Sequence, residues 1–369
     1  MAHNPKRLSR LRAVMGEQGI DVLYVRELSN ISWATGFERV FDDEPAHALV
    51  VSARNCVLHT DSRYFDAMKS AAADTDIEVD NSRMAHSAVL AQVSDCIDGD
   101  IVRVGIEDSM PLAEYRALQR TFEGKAIDLV ELSGFVEELR QVKDESEITA
   151  MRKAQSITDA AFANIIAFMK PGMTEREVQL QLDRYMYEGG AEGLAFGTIV
   201  ATGAHAASPH AIPGETKLAF GDAVVMDFGA RYAGYCSDMT RTVFVGEPSD
   251  EVRRAYGAIR RANEECEAML RAGLSGADVH QHAEAVLEEE GFGGAMGHSL
   301  GHSVGIDIHE APNLSPRNSK ALCAGNVVTV EPGIYLTGKF GMRLEDYGVV
   351  RDTSYEVFTQ STHEMIIIS

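Results

Sequence analysis

GDAVVMDFGARYAGYCSDMTRT, Gly221 to Thr242, decides how the chain is read, because GNVVTVEPGIYLTGKFGMRLED, Gly325 to Asp346, repeats its pattern. Each reads as an apolar strand, a turn and a returning strand. Aligned on Gly221 and Gly325, Asp222 meets Asn326, Val224 meets Val328, Asp227 meets Glu331 and Gly229 meets Gly333. An acid therefore stands at the same point of both copies, after a run (AVVM, VVTV) apolar enough to be buried. A buried carboxylate without a cationic partner is strongly destabilising, so each needs one. Each copy adds a second acid after the chain turns at Gly234 or Gly341: Asp238, eleven residues past Asp227, and Glu345, fourteen past Glu331. Either these acids pair with Arg241, Arg343 and backbone amides, or they surround metal ions. Four acids in two matching hairpins, with a histidine-rich loop between the copies, favour the metal.

The repetition extends upstream of both hairpins. KPGMTEREVQLQLDRYMYEGG, residues 170–190, aligns with RAGLSGADVHQHAEAVLEEEG, 271–291, matching Gly172 with Gly273, Thr174 with Ser275, Glu177 with Asp278 and Val178 with Val279. Thr174 with Glu177 is a capping box, and Val178, Leu182, Tyr185 and Met186 follow on one helical face before Gly189 and Gly190. Ahead of it, LRQVKDESEITAMRKAQSITDAAFANIIAFMKPG spaces Ile148, Met151, Ile157, Ala161 and Ile165 as a long amphipathic helix, stopped at Pro171 and Gly172. Its methionines are core filling. The second domain is thus internally duplicated, each half running helix, helix, strands.

The first ~130 residues differ, alternating apolar runs (DVLYV, HALVVS, NCVLHTD, RVGIED, AIDLVEL) with helical patterns (YFDAMKSAAA, PLAEYRALQRTF). This is an α/β pattern without GxGxxG or GxxxxGK, so the usual dinucleotide and phosphate-loop signals are missing. The chain's 369 residues, 45% of them hydrophobic, suffice for two proper cores. No apolar run approaches the ~20 residues of a membrane span, and the start, MAHNPKRLSRLRAVMGEQG, lacks the apolar segment of a signal peptide. A cytoplasmic protein is expected. Five scattered cysteines without a CxxC pair indicate neither a thiolate zinc site nor a disulfide framework. With 34 basic against 56 acidic residues, a formal charge of −22, nucleic acid and anionic membranes are disfavoured partners.

Between the acidic hairpins lies GHSLGHSVGIDIHEAP, Gly297 to Pro312, with His298, His302 and His309 among small residues. His298 reads as a satisfied structural histidine. His302 and His309, seven apart and on predicted strands, read as site residues, as does His210 in the turn-rich ATGAHAASPHAIPG. Four carboxylates and an imidazole exceed what a structural zinc takes; the oxygen-rich set suits Mn²⁺, with Co²⁺, Fe²⁺ or Zn²⁺ as alternatives. Two divalent ions balance four negative charges. Such a pair, ~3.5–4 Å apart, lowers the pKa of a water and polarises a carbonyl, the equipment for hydrolysis. The rival reading of Asp227-Phe228-Gly229 as a kinase DFG triplet fails for want of an HRD loop and a glycine-rich strand upstream.

These residues resemble the creatinase-like, or pita-bread, metallopeptidases of family M24, which include Xaa-Pro aminopeptidases, Xaa-Pro dipeptidases and methionine aminopeptidases. The resemblance rests on PHA around His210, VMDFGARYAGYCSDMTRT, GHSVGIDIHEAP, TVEPGIY and MRLED, in the family's order and spacing. It implies an α/β, RNase H-like creatinase N-terminal domain over residues 1–133 and an α+β pita-bread catalytic domain over 134–369 with pseudo-twofold duplication. It further implies that Asp227, Asp238, His302, Glu331 and Glu345 hold two metal ions, Asp238 and Glu345 bridging them. Glu331 would also be the general base, and His210 and His309 would steady substrate and intermediate without binding metal. ISWATGF at 31–37 and TDSRYFDAM at 60–68 fit the X-Pro branch, so the expected reaction is hydrolysis of the Xaa-Pro bond in dipeptides or short peptides, by a homodimer. Two departures stand out: Ser303 replaces the glycine of the common GHG, and Asn313 stands where some dipeptidases carry an arginine for the product-side carboxylate, with Arg317 near in sequence. Dipeptidase and aminopeptidase both stay open. The alternatives are the same fold acting on a small non-peptide substrate, as lyase or hydrolase, and a catalytically inactive relative that binds a protein partner.

Overall fold

Every apolar run of the amino-terminal third becomes a strand of one mixed sheet, ordered Glu78–Asp80, Cys56–His59, Ala48–Ser52, Val22–Val25, Val102–Glu107, Ile127–Leu132. Val22–Val25 pairs antiparallel with Ala48–Ser52 and parallel with Val102–Glu107, and all four of its residues are buried, as a central strand covered on both faces requires. Val22, Tyr24, Val50, Val104 and Ile106 pack on Val89, Leu90 and Val93 of the helix His86–Ser94 and Leu118 of the helix Leu112–Thr121. The computed structural model describes residues 5–42 and 44–369. The first four residues of the MAHNPKRLSR start lie outside that range; the rest opens the helix Pro5–Gln18. The chain divides into two units after Arg140, where the sequence analysis drew the boundary after residue 133, because the helix Phe135–Arg140 belongs to the first unit. Among the described residues no helix is long and apolar enough to cross a membrane.

The second unit, Gln141–Ser369, is built twice over. Its long helix, Glu145–Phe168, is capped by Asp144, whose carboxylate accepts from the Ser146 and Glu147 N–H groups, and the five apolar positions predicted to face the core are all buried. The helices Glu175–Glu188 and Gly276–Glu289 both start on complete capping boxes, Thr174 with Glu177 and Ser275 with Asp278. Each stacks a buried row on its own sheet, Val178, Leu182 and Met186 in one half and Val279 and Ala283 in the other. At about 1.5–3 kcal/mol per large buried side chain, these rows anchor the helices.

Even the joints correspond. Gly172 donates to Leu218 O at 2.8 Å and Gly273 to Leu322 O at 2.9 Å; Gly221 donates to Val245 O at 2.7 Å and Gly325 to Val350 O at 2.8 Å. In the first half Ala223–Phe228 pairs antiparallel with Met239–Val245, setting Asp227 opposite Thr240 and Asp238 just before Met239. In the second, Val327–Val330 pairs with Asp346–Val350, so that Glu331 and Glu345 lie one residue beyond the terminal pair Val330 and Asp346. Both ladders thus present two acids at the same end. The halves meet along a seam where Glu345 N–H donates to Thr240 O at 3.1 Å and Thr242 Oγ1 to Arg343 O at 2.9 Å.

Gly229 sits at the tightest point of the first hairpin, where a Cβ would overlap the Ser237 carbonyl oxygen. Beyond it, Arg231↔Cys236 and Tyr232↔Tyr235 pair across a two-residue turn whose central residues, Ala233 and Gly234, have φ of 49° and 78°. Two positive φ values are the type I′ condition, which asparagine meets with less strain than alanine. Ala233→Asn is expected to raise unfolding stability by about 0.5–1 kcal/mol in urea melts, with unchanged m-value.

Candidate metal centre

The strand ends converge on a cavity of about 610 Å³ lined by Asp227, Asp238, His302, Glu331 and Glu345. All five residues singled out as ligands therefore reach one space, and His210 and His309 line it as well. One atom each of Asp238, His302 and Glu345 can be chosen so that all lie within 4.8 Å of one another. His302 Nε2 stands 3.5 Å from Asp238 Oδ2 and 3.5 Å from Glu331 Oε1.

Backbone and hydroxyl groups set these orientations. His302 is on the strand Gly301–Ser303, its N–H donating to Thr329 Oγ1 at 3.0 Å. Its Nδ1 lies 3.1 Å from Ser303 O, an acceptor only, so Nδ1 carries the proton and Nε2 keeps a lone pair facing the carboxylates. Burial holds its pKa below the ordinary value, so the ring is neutral, as a ligand must be. Thr240 Oγ1 donates to Glu345 Oε2 at 2.6 Å and Thr329 Oγ1 to Glu331 Oε1 at 3.2 Å.

Both arginines of the alternative reading are present, with different fates. Arg241 pairs with Asp346 at 2.6 Å and with backbone carbonyls, leaving the four cavity acids to others. Arg343 does pair with Asp227, Nη2 to Oδ2 at 2.5 Å, and its Nε is 3.9 Å from Glu331 Oε2. One guanidinium thus serves a group of four acids. Among the described residues, Asp238 and Glu345 have no lysine or arginine within 4.0 Å, and the buried Asp227 Oδ1 has no hydrogen-bond partner. Burial first, then the neighbouring carboxylates, pushes the Asp238 and Glu345 pKa values well above the ordinary range. Burial also raises Glu331, against the pull of Arg343. An orphaned carboxylate oxygen, two carboxylates without a counter-cation and a neutral imidazole lone pair are what a divalent cation would complete.

The sequence analysis missed five residues of the cavity lining. His298, read there as structural, lines the cavity, and its Nε2 lies 3.1 Å from Tyr335 Oη, which accepts from Arg343 Nη1 at 2.8 Å. The repeated GHS, 297–299 and 301–303, was the available signal. Phe196 and Ile199, with Pro209 and Ile308, form an apolar wall that carried no signal of its own. Asn313 lines the cavity; Arg317 is not among its lining residues.

A buried acidic centre between duplicated half-domains, in a chain that also carries an α/β unit, defines a two-domain metallopeptidase. Residues 149–352 match the model of metallopeptidase family M24 and residues 7–142 that of the creatinase/prolidase N-terminal domain, and the chain belongs to that family. It is 35% identical over 365 residues, 98% of this chain and all of the relative, to the uncharacterized peptidase YqhT of Bacillus subtilis. Among solved structures it is similar to an Xaa-Pro dipeptidase from Bacillus anthracis, with 35% identity, TM-score 0.90 and coverage of 98% and 99% of the two chains. It is also similar to an X-Pro aminopeptidase from Thermotoga maritima, with 34% identity, TM-score 0.86 and coverage of 98% and 100%.

Carboxyls whose folded pKa values exceed the unfolded ones hold protons that the unfolded chain gives up, so their contribution is fully present below about pH 4 and is lost as pH rises through the folded values. In metal-free protein, Glu345→Gln removes one such group. Its stability relative to wild type is expected to increase as pH rises above about 5 in urea melts with chelator; a pH-independent difference would refute the electrostatic account.

Proposed function

We propose that the chain is a divalent-metal-dependent peptidase holding two ions and hydrolysing the bond that precedes proline in short peptides. The observation that carries this is the cavity itself, lined by the buried Asp227, Asp238 and Glu345, the half-buried Glu331, a neutral histidine and the apolar Phe196, Ile199, Pro209 and Ile308. Asp227, Asp238, His302, Glu331 and Glu345 would hold the ions, Mn²⁺ being the metal the oxygen-rich set favours over Co²⁺, Fe²⁺ or Zn²⁺. Divalent ions bound there would act as Lewis acids toward a peptide carbonyl and acidify water.

The remaining chemistry belongs to the chain's own residues. Glu331 takes and returns a proton, a role its upward pKa shift toward neutrality supports. His309, kept neutral mainly by burial, and His210 face the same space and would donate N–H bonds to a carbonyl oxygen as it gains charge. The apolar wall takes the prolyl ring, whose imide nitrogen offers no hydrogen for the backbone grip other peptidases use. Among the described lining residues Arg343 is the one lysine or arginine, and Asp227 occupies it. Among the described lining residues no basic side chain is left for a free product-side carboxylate, which supports Xaa-Pro-Yaa tripeptides as better substrates than Xaa-Pro dipeptides. A cytoplasmic homodimer is part of the same reading, with light scattering as its check.

Purified protein with Mn²⁺ is expected to cleave Xaa-Pro-Yaa peptides, to lose activity with chelator and to regain it on adding metal back. Asp238→Asn and Glu345→Gln are expected to lower kcat more than about 100-fold, since even groups that only orient metal ligands are worth 10–100-fold. No metal-dependent cleavage of either peptide length would reject the proposal. Turnover of a small non-peptide substrate would then support the lyase or hydrolase alternative, and less than one equivalent of bound metal the non-catalytic one.

A further inference from the structure

The loop between His302 and His309 closes on one buried ammonium. Lys143, its side chain 1% exposed, donates from Nζ to Ser303 Oγ at 2.9 Å and to Glu310 Oε2 at 3.0 Å. Ser303 follows His302 and Glu310 follows His309, and the two face each other across the strands Gly301–Ser303 and Glu310–Leu314. The other carboxylate oxygen, Glu310 Oε1, accepts from the Asp307 N–H at 3.1 Å, inside the loop. Gly305 makes the room, because a Cβ there would overlap the Glu310 carboxylate. Lys143 is itself anchored, its N–H donating to Gly325 O at 2.9 Å while Val142 bridges to Asn326, at the root of the second acidic hairpin. One charged side chain therefore ties the hairpin of Glu331 and Glu345 to the loop of His302 and His309. The two imidazoles meet edge to face, their centroids 4.4 Å apart.

We propose that Lys143, Ser303 and Glu310 form a positioning clamp that holds His302 and His309 in register with each other and with the cavity carboxylates. The Ser303 hydroxyl supplies an acceptor that glycine at this position lacks. A buried ammonium keeps its partners close because separating them leaves a charge unpaired, so both ends of the loop are held. None of the three is a catalytic residue; they act through the histidines. The inference rests on the peptidase reading only for what the histidines do, not for the clamp itself.

Three measurements on full-length protein test it: hydrogen exchange of amides 304–308 without metal, calorimetric Mn²⁺ titration, and kcat and KM on an Xaa-Pro-Yaa peptide. Lys143→Met alone takes the ammonium from Glu310, so the informative variant is Lys143→Met with Glu310→Met, which removes both charges of the pair together. In the folded double variant the loop amides are expected to exchange at least about tenfold faster, Mn²⁺ to bind about 10–100-fold more weakly, and kcat to fall while KM holds. Should the double variant fail to fold, Ser303→Gly, which removes one acceptor, is expected to speed loop exchange to a smaller extent. Wild-type exchange and Mn²⁺ affinity in the folded variant would overturn the clamp. A wild-type protein that binds no Mn²⁺ would instead overturn the metal reading, leaving loop exchange to decide the clamp.

Discussion

Four carboxylates at the ends of two strand ladders, three buried and Glu331 half-buried, with one guanidinium among them, are the constraint around which the second unit is arranged. Such a group repels itself strongly in a medium that screens poorly, and it persists only where protons, cations or hydrogen-bond donors offset the repulsion. The donors are visible: Thr240 on Glu345, Thr329 on Glu331 and Arg343 on Asp227. They leave Asp227 Oδ1 unpartnered, and they do not offset the burial and mutual repulsion that hold Asp238 and Glu345 toward their protonated forms.

Holding those acids together is work for the whole unit. Arg241, 1% exposed, uses its guanidinium to tie Thr240 O, Glu345 O, Asp346, Ser361 O and Thr362 O together, joining both halves to the carboxy-terminal segment. Its sequence position beside the acids made it look like their counter-ion; its position in the fold makes it the brace beneath them. The cation that does reach the acids, Arg343, projects from the strand Phe340–Arg343 of the second hairpin, yet it pairs with Asp227 of the first. A charge pair across the pseudo-twofold seam cannot be anticipated from spacing within either repeat.

The local elements were legible because each rests on short-range physics. Capping boxes at Thr174 and Ser275, the buried rows that follow them and the strands of the first unit all formed as their patterns indicate. For His298 the repeated GHS was the one local sign, while its contact with Tyr335, thirty-seven residues away, is tertiary. The clamp of Lys143 on Ser303 and Glu310 escaped for the same reason, spanning separations of 160 and 167 residues. The break between the two units escaped by a single short helix, Phe135–Arg140, whose apolar residues Phe135, Val136 and Leu139 look alike whichever core they enter.

The sequence by itself determined the duplication, the strand and helix types and the identity of the acids and histidines, because hydrophobic period, capping chemistry and repeat register are written in neighbouring residues. Only the tertiary structure decided which cation serves which acid, which carboxylates stand without one and which side chains wall the cavity. Those are outcomes of distance and burial, which depend on how separate segments pack, and electrostatic interactions take their strength from that packing rather than from order along the chain.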